Sequence, residues 1–203
     1  LRDLKLLFLS ISGRKLDAAT DEGMDLMTSL LYARRVVAQL ALWSDAPEQA
    51  TRDLEETMIG YGQLPHLPRS LVREEAITGF YAAVGYRRAG NIGKALALLT
   101  RVRGIAEQLQ SRELYRVRLE MASIYEQKGE LATARQLYRE GLEAFEAVGG
   151  MQRLADVGIP LYEQAAWAYQ RLGRLAANDR TANTQEASAR AFEWNERGRA
   201  RVL

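Results

Sequence analysis

One spacing of residues recurs three times in the 203-residue chain and limits the folds that it can adopt. In each copy an Ala stands seven places before a Gly and a Tyr four places before it; the copies are Ala83-Tyr86-Gly90, Ala122-Tyr125-Gly129 and Ala166-Tyr169-Gly173. Small residues let two helices approach closely, and Gly can adopt the positive φ that ends a helix. The spacing therefore predicts an array of helical hairpins, with the Tyr filling each junction.

The stretch 113–148 shows this pattern most completely. It reads as two helices joined at Gly129, with Ala122 and Ala134 placed where the helices would cross. Aligning the chain on its turn glycines predicts about four hairpins, at roughly 24–60, 68–110, 111–149 and 151–203. We expect one domain over 24–203, preceded by a segment, 1–23, that the pattern does not assign.

Local signals set the expected helix limits. Apolar residues recur at helical spacing from Met24 to Trp43, and Pro47 can begin a second helix that runs to about Ile59. The segment 60–68 is rich in Gly and Pro and is predicted to be a loop. Pro160 leaves two alternatives, a helix that begins there or a longer helix that is kinked there. A polar loop is expected over 173–183, before a last helix.

Composition narrows the function classes. Hydrophobic residues make up 47% of the chain, which is enough for a sizeable core, and the formal net charge is only +2, so the charge gives no reason to expect nucleic-acid or membrane binding. No apolar run approaches the about 20 residues that a membrane-spanning helix needs. There is no Cys, which removes disulfides and thiol nucleophiles. We expect a cytoplasmic protein, and a piece of a longer one because it begins at Leu1.

No catalytic or metal-binding constellation is apparent. Adjacent residues on a helix point about 100° apart, so the carboxylate pairs Glu74/Glu75 and Glu55/Glu56 are not expected to converge. His66 is the only His and has no second metal ligand that can be placed beside it. The predicted class is therefore a non-enzyme without a metal or cofactor.

The order of small, Tyr, Gly and Ala positions resembles the tetratricopeptide repeat (TPR) over roughly 32–203. The resemblance implies an all-α, right-handed α-solenoid of about four helix-turn-helix repeats that binds proteins. The first signature Trp of the family is absent here. The turn glycines are 39 and 44 residues apart, longer than the usual repeat, so we expect extended helices or longer connections.

In the TPR family the first helix of each repeat lines a concave face. The resemblance places a peptide ligand or partner protein there, with Arg87, Arg88 and Arg116 as the favoured contacts. The full candidate set is Tyr32, Arg35, Gln39, Phe80, Val84, Arg87, Arg88, Arg116, Ser123, Glu126, Gln127, Glu163, Trp167 and Gln170. The Lys and Asn set with which some TPR proteins grip the acidic terminus of heat-shock chaperones is absent.

The last stretch, 191–203, resembles the helix that joins long repeats to a caspase-like CHAT protease domain in many bacterial proteins. This resemblance implies a regulatory or sensor role beside a downstream domain. Three alternatives stay open: the regulatory region of a transcription regulator, self-assembly through exposed solenoid ends, and a nucleic-acid binder. The arginine stripe that suggests the last of these is interrupted by Glu107, Glu113 and Glu120.

Overall fold

The computed structural model describes residues 21–43, 47–64, 67–111, 114–147, 160–178 and 183–202, and the regular structure within these ranges is entirely helical. The all-α prediction is therefore confirmed. The helices are α1 (Asp21–Ala41), α2 (Pro47–Gly62), α3 (Arg69–Arg88), α4 (Ile92–Gln108), α5 (Leu114–Gln127), α6 (Leu131–Ala147), α7 (Pro160–Ala177) and α8 (Thr184–Val202).

The chain divides into two compact units, residues 1–111 and 112–203, called here the N-terminal and C-terminal units. The first contains α1–α4 and the second α5–α8. Each unit holds two helical hairpins, near the predicted limits. The single domain predicted over 24–203 stays a prediction.

In the N-terminal unit, α3 packs against both α2 and α4, and α2 also packs against α1. Its core includes the fully buried side chains of Leu42, Leu54 and Leu99. Two glycines of α3 lie at the helix crossings: a Cβ on Gly79 would lie 2.7 Å from Met58 Sδ, and one on Gly85 would lie 2.0 Å from Thr51 Oγ1. The helices are therefore closer together than any larger residue at these positions would allow.

The C-terminal unit is built in the same way. The two hairpins are α5–α6 and α7–α8, and α6 packs against α7. Large aromatic side chains fill this core, and Tyr138, Phe145 and Tyr169 are fully buried. The burial of these large aromatic side chains supplies much of the free energy that holds the hairpins together.

Two of the three predicted glycine turns are confirmed. Gly90 and Gly129 each have φ of 78°. The residue after each glycine donates its N–H back into the helix, from Asn91 to the Tyr86 carbonyl at 2.8 Å and from Glu130 to the Tyr125 carbonyl at 2.9 Å. This pattern closes a helix with a residue in the left-handed conformation.

The third predicted glycine turn is wrong. Gly173 lies inside α7, which continues to Ala177. A Cβ on Gly173 would lie 2.8 Å from Asn195 Oδ1, so this glycine allows α7 and α8 to approach and does not end a helix. The neighbouring Ala166 is only partly buried, whereas Ala165 and Ala168 are buried. A glycine can end a helix or allow two helices to approach closely, and the spacing of residues in the sequence does not distinguish these two roles.

The limits of α7 and α2 bear on two further predictions. The described part of α7 begins at Pro160, and since residues 151–159 lie outside the described ranges, both alternatives for Pro160 stay predictions. Helix α2 continues to Gly62 because Gly60 packs closely on Leu31 of α1 instead of opening a loop. The predicted loop residue His66 and the segment 1–20 lie outside the described residues.

Gln110 gives a first testable prediction. It follows α4 with φ of 49°, and Ser111 donates its N–H to the Ala106 carbonyl at 2.8 Å, the same closure that glycine makes elsewhere. A side chain is strained in this conformation, so Gln110→Gly should raise the free energy of unfolding by about 1 kcal/mol. Urea denaturation measures the change. The control Gln108→Gly, at the last position of α4, should lower stability by up to about 1 kcal/mol, and equal losses in both variants would contradict the prediction.

Candidate binding surface on the first helices

The predicted contacts on α1 are partly used inside the protein. Arg35 is only 8% exposed. Its Nε lies 3.0 Å from Glu74 Oε2 on α3, and its Nη1 donates a hydrogen bond to Gln39 Oε1 at 2.7 Å. The guanidinium also lies over the ring of Tyr32, 4.8 Å from its centroid, and that ring is half exposed. Arg35 therefore joins α1 to α3, Gln39 holds Arg35 from within α1, and Tyr32 is the residue of this group that faces solvent.

The predicted contacts on α3 fall into two groups. Phe80 and Val84 are buried, with Phe80 only 4% exposed, so they are core residues instead of ligand contacts. The physical reason is that both α2 and α4 pack on α3. More of the surface of α3 is therefore covered than on a helix with one neighbour. Arg87 is partly exposed and engaged in other interactions, whereas Arg88 is exposed.

An exposed aromatic surface lies beside Arg88, at the end of α1. Trp43 is 58% exposed and Leu40 is 57% exposed. The Trp43 ring meets Tyr81 edge to face, with centroids 6.1 Å apart, and the Arg88 guanidinium carbon lies 5.8 Å from the Trp43 centroid. These four residues are called the Trp43 patch. It brings an apolar anchor and a cation together on one surface of the N-terminal unit.

Sequence reasoning missed Trp43 and Tyr81 because only positions of the repeat pattern were transferred. A signal was nonetheless present. Leu40, Leu42 and Trp43 are three apolar residues within four positions, and they cannot all face one core because successive helical residues point about 100° apart. Since Leu42 is the fully buried one, the other two face outward.

In the C-terminal unit the predicted contacts meet around Glu126. This carboxylate accepts hydrogen bonds from the Tyr138 hydroxyl at 2.9 Å and from Arg171 Nη1 at 3.1 Å. Arg171 lies 5.1 Å from the centroid of Trp167, whose ring meets Tyr138 edge to face. Glu126 thus links α5, α6 and α7, and its charge is already balanced.

The remaining predicted residues of this unit are dispersed. Ser123 is buried, and Arg116 is partly buried and engaged in other interactions. Gln127, Gln170 and Trp167 are exposed. Glu163 belongs to α7, but its side chain lies outside the described part of the chain. Of the predicted contacts in the C-terminal unit, those that face solvent are therefore Trp167 and the amide groups of Gln127 and Gln170.

The adjacent glutamates Glu74/Glu75 and Glu55/Glu56 do not converge on one site. Each of the adjacent glutamates has a different partner, namely Arg35 for Glu74, Arg101 for Glu75, the Tyr86 hydroxyl for Glu55 and Arg34 for Glu56. Among the described residues, no group of three or more His, Asp or Glu side chains could hold a metal ion. None of the helices described combines the length and the apolar character that crossing a membrane requires.

Two buried tyrosines have raised pKa values. Burial, with a smaller contribution from the Glu74 charge, raises the pKa of Tyr61 to about 12. Burial and the hydrogen bond to Glu126 raise the pKa of Tyr138. Both hydroxyls therefore stay protonated near neutral pH, where neither can act as a general base.

Tyr61 gives a second testable prediction, on alkaline stability. Its ring is fully buried and its hydroxyl has no hydrogen-bond partner among the described residues. The unfolded chain loses this proton near pH 10 and the folded chain near pH 12, so the folded state binds more protons in this window and stability falls as pH rises, by up to about 1.4 kcal/mol per pH unit. Tyr61→Phe should reduce that slope in urea denaturation at pH 8, 10 and 11.

The comparison variant is Tyr138→Phe, which removes a hydrogen bond to a carboxylate. It should lower stability at pH 8 by about 1.5 kcal/mol, whereas Tyr61→Phe should leave it equal or slightly raised, since no hydrogen bond is lost. An unchanged alkaline slope in Tyr61→Phe would contradict the prediction.

Helical hairpins closed by left-handed glycines and crossed at small residues define a TPR-like repeat fold, as the sequence predicted. No protein-family model and no curated protein sequence matches the chain. Several solved structures are similar to it, among them the following two. BtubC (BKLC) from P. vanneervenii has a TM-score of 0.60 and 20% identity over 96% of this chain and 74% of that one.

The second structure is a putative kinesin light chain from Podospora anserina with nearly identical TPR-like repeats. It has a TM-score of 0.56 and 16% identity, over 98% of this chain and 85% of that one. At these identities the similarity concerns the fold alone.

Proposed function

We propose that the chain is a non-catalytic protein-interaction scaffold that binds a peptide or partner domain on the first helices of its hairpins. It would act as the regulatory or sensor part of a larger bacterial protein. The observation that carries this proposal is the Trp43 patch. The side chains of Trp43 and Leu40 remain more than half exposed at one end of α1. Contiguous exposed apolar surface with a polar neighbour is typical of sites where proteins bind one another.

The form of the patch supports this function. Trp43 is restrained by the edge contact with Tyr81, and Arg88 lies over its ring. A side chain that is already held loses little conformational entropy when a partner covers it. Trp, Tyr and Arg are also the residue types that most often dominate binding energy at interfaces.

The test is affinity capture from the source cells with the full chain as bait. A partner bound by the wild-type protein should be recovered at least about tenfold less by Trp43→Ala, which removes an anchor worth about 2 kcal/mol. The matched control is Phe192→Ala, since Phe192 is 67% exposed in the C-terminal unit. Circular dichroism melting checks that both variants fold. Equal recovery by wild type and Trp43→Ala, or no reproducible partner, would contradict the proposal.

The predicted protein context remains part of this proposal. A His and Cys pair encoded after residue 203 would support the link to a CHAT protease domain, and a helix-turn-helix would support a transcription regulator. Self-association is a third outcome, since helical repeat arrays can associate through exposed ends. Light scattering across a range of protein concentrations distinguishes it from binding of a different protein.

A further inference from the structure

We infer that the Trp43 patch binds an extended segment that places a carboxylate beside an apolar side chain, with the carboxylate on Arg88 and the apolar group against Trp43. This inference rests on the proposed function and adds the chemistry of the partner. Three observations support it: the exposure of Arg88, the positive charge of the segments beside it, and the position of the Trp43 ring next to its guanidinium.

Arg88 keeps its hydrogen-bonding capacity available. Its side chain is exposed, and among the described residues its interaction with the Trp43 ring is accompanied by no ion pair. Other arginines of this unit are paired with carboxylates, as Arg34 is with Asp53 and Arg101 with Glu75. A guanidinium offers five N–H donors in a planar fork that matches a carboxylate, so Arg88 can accept one without breaking an existing ion pair.

The surrounding charges select for an acidic partner. Residues 36–43 contain no charged side chain, and the charged side chains within 81–91 are Arg87 and Arg88, both positive. No acidic side chain in these two segments competes for Arg88. The two positive side chains of these segments therefore favour an acidic partner segment over a basic one.

The aromatic ring couples the two contacts. An apolar side chain laid against Trp43 and Leu40 would exclude water from the neighbourhood of Arg88, which strengthens an ion pair formed there. An acid alone would meet a solvated arginine, where ion pairs contribute little. The patch should therefore require both groups in one segment.

A nucleic acid also carries anions, but it fits this surface less well. Backbone phosphates are usually held by several available cations. Here Arg101 pairs with Glu75 and Arg103 with Glu107, while Arg87 is engaged in other interactions. Arg88 alone would not hold a strand.

The experiment uses two synthetic peptides, Ser-Gly-Leu-Glu-Phe-Glu-Gly-Ser and the same peptide with Gln in place of Glu. Both are titrated into the full ¹⁵N-labelled chain, and the indole N–H of Trp43 is followed by NMR. The chain has three Trp, so the signal is assigned with Trp43→Phe. We expect the Glu peptide to bind at least about fivefold tighter than the Gln peptide, with the difference shrinking as salt rises from about 50 to 300 mM.

Variants separate the contributions. Arg88→Gln should make the two peptides bind alike, and Trp43→Ala should weaken both. Arg139→Gln, which changes an exposed arginine of the C-terminal unit, should leave the preference intact. Equal binding of the two peptides to the wild type, a preference that survives Arg88→Gln, or stronger shifts with a ten-residue oligothymidylate would each overturn the inference.

This result can be told apart from failure of the proposed function. If partner capture depends on Trp43 while the two peptides bind equally, the scaffold function stands and the acidic chemistry is wrong. If capture is indifferent to Trp43→Ala, the proposed function itself fails, whatever the peptides do.

Discussion

Replacing Gly85 by Ala should lower the free energy of unfolding by about 3 kcal/mol, because one added methyl group would overlap a neighbouring helix. An ideal Cβ at Gly85 would lie 2.0 Å from Thr51 Oγ1 and 2.9 Å from Leu42 Cδ1. Thr51 cannot move away freely, since its hydroxyl donates a hydrogen bond to the Pro47 carbonyl at 2.7 Å. Either α2 and α3 separate or this hydrogen bond is lost. Urea denaturation followed by tryptophan fluorescence measures the change.

The same substitution at Gly104 provides the matched control. Gly104 lies within α4, and a Cβ there would meet nothing within 4 Å. Gly104→Ala should therefore raise stability by about 0.5–1 kcal/mol, through helix propensity alone. Opposite signs at the two sites would show that Gly85 is required for packing. A loss of less than about 1 kcal/mol at Gly85 would mean that α2 and α3 are not as close as described.

Arg35→Met should lower the free energy of unfolding by about 2–3 kcal/mol. Arg35 pairs with Glu74 across α1 and α3, and both side chains are largely buried. Removing the cation leaves a partly buried carboxylate without its partner. The free-energy cost of burying this unpaired charge is larger than the net contribution of the intact ion pair to stability. If Arg35 served only to bind a ligand, its replacement would leave the free energy of unfolding unchanged. The measured change in this free energy therefore shows whether Arg35 has a structural role.

A double-mutant cycle sharpens this test. Arg35→Met combined with Glu74→Leu should be more stable than Arg35→Met alone, because no charge remains unpaired. The control is Arg190→Met, which removes an exposed pair with Glu186 and should change stability by less than about 0.5 kcal/mol. Additive effects of Arg35→Met and Glu74→Leu would contradict the pairing.

The structural positions of the repeat were predictable because they depend on local chemistry. Ala83, Ala122 and Ala134 are fully buried at helix crossings, and Gly90 and Gly129 close their helices. Each of these roles needs a small side chain or a positive φ, and few residue types satisfy it. Gly173 shows the limit, since a glycine that permits close packing has the same sequence signature as one that ends a helix.

The candidate binding residues were less predictable. Repeat position alone suggested that Phe80, Val84 and Ser123 would face a ligand, yet all three are buried. Arg35 and Glu126 were expected to meet a ligand as well, and each is instead engaged with a side chain on another helix. A position within one helix does not reveal how many neighbours pack on that helix, and the number of neighbours decides which side remains exposed.

The sequence by itself determined the hairpins, the small residues at their crossings and two of the turns, because helical periodicity and glycine conformation act over a few residues. Tertiary structure alone decided which charges are paired and which side chains are left in solvent. The arginines of the N-terminal unit show this clearly: Arg34, Arg35 and Arg101 face carboxylates on neighbouring helices, whereas Arg88 lies over Trp43. Those partners are brought together only by helix packing, which depends on contacts between residues far apart in the chain.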